Sequence, residues 1–148
     1  APARFDEEEL AQLNQKIVHL LDYGAVKDRL PEAMDAAAWE IIRPNLHDMG
    51  DVEQWWQVVT GPVAAPAMPP EDREFLTAAH AKLEELEASD DIWKDLTGAL
   101  KEATGRKGKP LFMPLRQALT GLDHGPDMNA LLPLIGREAA LARLAAAS

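Results

Sequence analysis

Gly105-Arg106-Lys107-Gly108-Lys109-Pro110 has the glycine and lysine content of a loop that cradles phosphate. Its spacing refuses that chemistry. The glycines stand too close together, Pro110 follows the lysine where Ser or Thr would hold magnesium, and no strand leads into it. What remains is a cluster of cations, with Arg106, Lys107, Lys109 and Arg116 gathered around Phe112. Positive charge beside flat groups suits a loop of nucleic acid and does not suit covalent chemistry.

The other reactive side chains form no working pattern. His19, His47, His80 and His124 include no pair at the i, i+4 spacing of a helical zinc site. Ser occurs only at 89 and 148, and nothing resembles a nucleophile elbow. Cys is absent, which excludes disulfides and thiolate metal sites and permits a reducing cytoplasm. The acidic clusters 6–9, 71–74 and 84–87 read as solvated faces and first-turn charges. We therefore assign no catalytic residue and no metal ligand. Trp39, Trp55, Trp56 and Trp93 have rings that stack on bases, yet three fall on apolar helical faces and read as core. Trp55 and Trp56 are adjacent, which places one of them nearer the surface.

A net charge of −10 opposes nonspecific binding along a phosphate backbone. The average conceals an asymmetry. Residues 1–100 hold 8 Lys/Arg against 21 Asp/Glu, whereas residues 101–148 hold 7 against 4. Such a chain fits a local polyanion contact on a body that repels polyanions elsewhere. No apolar run is long enough to suggest export or membrane spanning. The expected location is the cytoplasm, and a monomer is expected.

The elements that must position the basic stretch are helical throughout, so the expected class is all-α. Asp6 and Glu9 form a capping box behind Phe5 as staple, and Leu10, Leu13, Ile17 and Leu20 or Leu21 make one apolar stripe. Further helices are expected over about 25–30, 32–43, 51–59, 70–86, 90–103, 111–120, 127–135 and 137–146. Four Pro and one Gly in 60–70 mark an internal boundary, giving subdomains 1–60 and 71–148 around a linker at 61–70. Leu111, Leu115 and Leu119 face inward and hold Arg116 in a defined direction, and such an Arg can stack on a base and reach a phosphate. His124-Gly125-Pro126 then precedes a helix start whose amides can donate to base edges or phosphates. Gly125 admits close approach, and Pro126 offers a flat, rigid surface. Composition alone also allows a plain solvated loop at 105–110.

The run KGKPLFMPLRQALTGLDHGP, followed by LLPLIGREAALARL, closely resembles the C-terminal end of bacterial glutamyl-tRNA synthetases. The opening PARFDEEELAQLNQKIVH is similar to that family where its stem-contact region passes into the helical C-terminal body. The resemblance covers essentially the whole chain. It implies two α-helical subdomains gripping an anticodon loop, with the end of the stem-contact region inside 1–60. It also implies that catalysis, with ATP and magnesium, belongs to a catalytic domain absent from this sequence. The partner would be a glutamate-accepting tRNA, with acceptance of glutamine tRNA left open.

Carried over by position, Arg116 matches the Arg that lies against the anticodon bases in relatives. Gly125, Pro126, Met128 and Asn129 match the loop and helix start around the first two anticodon bases. Some relatives place an Arg where Asn45 stands in Arg43-Pro44-Asn45, and it reads the third base there. Others carry an Arg at the place of Gly98, for which Lys101 is a partial substitute. Gly125 and Asn129 stand where relatives have Thr and an aromatic, so base contacts differ in detail. Lys101, Arg106, Lys107 and Lys109 are the candidates for RNA backbone contact. The rival reading is an acidic helical module that binds protein, motivated by the acidic first two thirds and the Trp-rich helices.

Overall fold

The computed structural model describes residues 7–148. The described residues form nine α-helices and two 3₁₀ turns, without a strand. The predicted capping box and staple at Phe5 and Asp6 lie outside the described residues. The chain divides into two compact units, 1–57 and 58–148. The division falls inside α4 (Asp51–Thr60), and the Pro-rich segment that follows α4 lies in the second unit.

In the first unit, α1 (Glu7–Leu20) is followed by α2 (Tyr23–Val26) and α3 (Ala36–Ile42). Trp39 and Ile42 of α3 are fully buried with Met34 and Leu46. The Trp39 Nε1–H donates to Leu21 O at 2.9 Å, and Arg43 Nη1 donates to the same oxygen at 3.0 Å. That carbonyl ends the chain's exit from α1, so the two donors fix α3 beneath it. The helix expected from 32 begins only at Ala36, because Asp35 is its N-cap and accepts the Ala38 N–H at 2.8 Å. The apolar stripe of α1 differs from expectation. Val18 is its buried residue, while Leu10, Leu13, Ile17 and Leu20 are exposed, Leu20 by 80%.

The second unit is a bundle of α5 (Pro70–Glu85), α6 (Ile92–Thr104), α7 (Lys109–Thr120), α8 (Met128–Ile135) and α9 (Arg137–Ala147). α5 packs on α6, α7 and α9, and α8 packs on α6 and α9. The core is Leu-rich, with Leu76, Leu83, Leu96, Leu100, Leu115 and Leu119 essentially inaccessible. α9 meets it through Ala140 and Leu144, where the small side chain permits close approach.

One charged group lies inside this bundle. Arg143 of α9 is 7% exposed. Its Nη1 donates to Val58 O at 2.7 Å and Leu119 O at 2.8 Å, and its Nη2 to Gly61 O at 2.7 Å and Val59 O at 3.2 Å. Val58 and Val59 lie in the last turn of α4 and Leu119 in the last turn of α7. Helix ends leave such carbonyls without intrahelical donors. The guanidinium thus caps two helices at once, and burial lowers its pKa from the ordinary value. Truncating it would orphan four acceptors. We expect Arg143→Met to destabilise the second unit by about 2–4 kcal/mol, read as a lower urea midpoint. Arg143→Lys, with the charge but not the planar fork, should fall between the two.

Candidate nucleic-acid interface

α7 is amphipathic in a way that aims the candidate residues. Leu111, Pro114, Leu115, Ala118 and Leu119 face the core, leaving Lys109, Phe112 and Arg116 on the other side. Gly121 ends the helix in the left-handed conformation at φ 75°, which a side chain would resist. Thr120 then steers the loop. Its hydroxyl donates to Arg116 O at 2.7 Å and accepts the Leu122 N–H at 3.1 Å.

Arg116 is half-buried, and its Nη1 donates to Pro126 O at 3.1 Å. This bond ties α7 to the loop before α8 and fixes the guanidinium plane. Burial lowers the Arg116 pKa, and the Asp127 carboxylate opposes that shift. Asp127 is the N-cap of α8 and accepts the Asn129 N–H at 3.1 Å. The helix start therefore already carries a carboxylate. A phosphate there would meet like charge, so the amides and half-exposed Asn129 suit base edges better than phosphate. Asn129 Oδ1 is buried without a hydrogen-bond partner.

Of the sequence candidates in this unit, Arg116, Gly125, Pro126, Met128 and Asn129 come together at one end of α7 and α8. They present different things. Pro126 is buried, so its ring offers no flat surface and its carbonyl does the work of holding Arg116. Met128 is 2% exposed and packs in the core, so it presents no surface to a ligand. Gly125 is half-buried at φ 144°, a backbone that admits a close neighbour and disfavours a side chain. Exposed Asp123 and His124 complete the loop, with Asp123 Oδ1 2.8 Å from His124 Nδ1. That hydrogen bond lowers the Asp123 pKa, with the charges of His124 and Lys109 contributing in the same direction.

The cations separate into two kinds. Lys101, Lys107 and Lys109 are exposed. Arg106 is engaged within the fold. Its Nη1 lies 2.8 Å from Asp72 Oδ1 and donates to Pro110 O at 3.0 Å, its Nη2 donates to Glu71 O at 3.1 Å, and its guanidinium sits 4.4 Å over the Phe75 ring. The Pro110 contact has a covalent origin. Pro114, one turn later, has no N–H to give that carbonyl, and Arg106 supplies the missing donor. Arg43 and Asn45 belong to the first unit. Arg43 pairs with Glu40 at 2.7 Å, and Asn45 is half-buried in a 3₁₀ turn. Among the described residues no cluster of three or more His, Asp or Glu could hold a metal ion.

Sequence reasoning missed Arg143, although a signal existed. It stands on the inner stripe of α9 between Ala140 and Leu144, where a charge needs a buried partner.

The family described as "Anticodon binding domain" matches residues 10–148. The chain belongs to that family. It is 54% identical over 148 residues to glutamate–tRNA ligase 2 of Erythrobacter litoralis, covering 100% of this chain and 32% of the relative. It is 57% identical over 148 residues to glutamate–tRNA ligase 1 of Rhizorhabdus wittichii, covering 100% and 33%. The chain thus spans about a third of the length of the curated relatives it matches. A crystal structure of a glutamate tRNA ligase from Elizabethkingia meningosepticum shares the fold, with a TM-score of 0.75 at 24% identity, over 99% of this chain and 33% of that one. The all-helical class expected from the sequence is thereby borne out. So is the resemblance, which this anticodon-binding domain carries along its whole length.

The division of the cations is testable within the protein alone. Arg106→Ala and Asp72→Asn, combined in a double-mutant cycle, should show a stability coupling of about 1 kcal/mol. Lys107→Ala should leave the denaturation midpoint unchanged. A zero coupling would return Arg106 to the surface cations.

Proposed function

We propose that this chain recognises the anticodon loop of a glutamate-accepting tRNA, as the C-terminal, anticodon-binding third of a cytoplasmic, monomeric glutamate–tRNA ligase. Attachment of glutamate, with ATP and magnesium, would belong to the catalytic part of such a ligase. The observation that carries the reading is Arg116, held by Pro126 O beside Gly125 and the start of α8. A fixed guanidinium can lie flat on an unstacked base, and the adjacent backbone can read a base edge. Single-stranded RNA loops are recognised in this way.

Charge supports the same reading. Lys101, Lys107 and Lys109 give phosphate contacts that position the loop without reading it. Asp127 beside Arg116 disfavours phosphate at the reading position itself. The acidic remainder suppresses binding to unrelated RNA. Arg43 and Asn45 would contribute to the third anticodon base, with Asn45 offering a hydrogen-bonding amide in place of an Arg. Acceptance of glutamine tRNA as well would turn on that position.

The first unit has a second task in this reading. Residues 1–60 would include the end of the stem-contact region, and the exposed stripe of α1 suits packing against another part of a full-length ligase.

The test is binding of a glutamate-tRNA anticodon stem-loop beside one with a scrambled anticodon. Wild-type protein should prefer the cognate loop. Arg116→Ala should weaken cognate binding by about 1–3 kcal/mol, the worth of a stacked base. Lys107→Ala should weaken both loops alike and reduce the salt dependence by about one unit of slope or less. An Arg116→Ala curve that overlays wild type would remove Arg116 from the site.

A further inference from the structure

Phe112 is 44% exposed, and the other exposed large apolar side chains among the described residues all lie on α1. Its position is not a packing accident at a frayed end. It lies inside α7, three residues after Lys109 and four before Arg116, so the three side chains share one face. The ring leans on the largely buried Trp93, with centroids 6.2 Å apart and planes 35° from parallel. Trp93 therefore limits where the ring can go while leaving much of it open. α7 itself contains no Asp or Glu. The acids that act on this face lie outside α7, Asp123 on the Lys109 charge and Asp127 on that of Arg116.

An exposed ring buttressed from behind and flanked by two cations is the arrangement that binds unpaired bases. The two cations on either side of the ring match the phosphates that accompany a stacked base. Helical rise sets the spacing. Phe112 and Arg116 are four residues apart, about 6 Å along the axis. Stacked neighbours in a strand lie about 3.4 Å apart. The two flat groups thus suit two bases splayed away from each other, as in an opened loop.

We propose that Phe112 is a stacking platform for one unpaired base of the RNA loop, next to the base held by Arg116, with Lys109 reaching a phosphate on the far side of that base from Arg116. The inference rests on the anticodon reading and adds a contact to it. Phe112 is part-exposed and touches Trp93 of α6, so replacing it changes the surface together with that one contact.

The experiment measures affinity for the cognate and scrambled stem-loops by fluorescence anisotropy of the labelled RNA, with thermal melts to confirm folding. Phe112→Leu keeps apolar bulk and removes the aromatic face, and Phe112→Tyr keeps the face. Phe112→Leu should weaken cognate binding about tenfold, and Phe112→Tyr should stay within about twofold of wild type. A set of loops with one abasic nucleotide each locates the base. The Phe112→Leu penalty should vanish on one member of that set, on which the Arg116→Ala penalty persists. Wild-type affinity in Phe112→Leu, with cognate preference intact, would overturn the platform and leave the anticodon reading standing. So would a penalty that persists on every abasic loop. If the wild-type protein shows no preference between loops, the anticodon reading fails and the platform fails with it.

Discussion

The Arg143 guanidinium meets four backbone carbonyls at once, from the end of α4, the residue after it and the end of α7. Two helix ends point unsatisfied oxygens into the interior, and burying them dry would be costly. One planar group with five donors answers both. Because Leu119 is among the acceptors, the bond fixes the end of α7. The loop leaving that end returns Pro126 O to Arg116. A structural cation inside the bundle and the half-buried Arg116, the proposed reader, are thus joined through one helix.

A second arginine repeats the logic at the other end of α7. Proline inside a helix frees a carbonyl one turn earlier, and Arg106 fills the vacancy left by Pro114 while pairing with Asp72 of α5. α7 is consequently held at both ends by guanidinium groups from other segments. Its outer face, with Lys109, Phe112 and Arg116, inherits that rigidity. A rigid face matters for reading bases, since ordering side chains on binding weakens affinity. The stiffness comes from polar contacts at helix ends, whereas the hydrophobic core supplies most of the burial.

The electrostatics of the face divide labour by position. Exposed lysines project into solvent, where their attraction for phosphate is long-ranged and salt-sensitive. Arg116 is half-buried beside Asp127, so its charge is partly answered before any ligand arrives. What it offers is chiefly shape and hydrogen-bond geometry. Under the proposed anticodon reading, discrimination among loops would reside at Arg116 and its neighbours more than at the lysines.

Helical periodicity, Gly and Pro punctuation and the inner leucines of α7 were legible in the sequence, because local sterics and apolar spacing decide them. The resemblance carried by 107–126 and 131–144 also singled out Arg116 and the 125–129 segment as candidates. Burial was not legible, since it depends on which segments arrive from far along the chain. Pro126 and Met128 turned inward, and the α1 stripe from Leu10 to Leu20 stayed exposed despite its helical spacing. The same holds for the arginines. Arg106 looked like its lysine neighbours until Asp72 and Phe75 enclosed it, and Arg143 looked like a surface charge until α4 and α7 ended against it. Sequence thus determined the helices and the residue types available to meet RNA. Tertiary structure decided which cations hold the fold and which remain free, because a guanidinium binds whichever unsatisfied oxygens the packing brings to it.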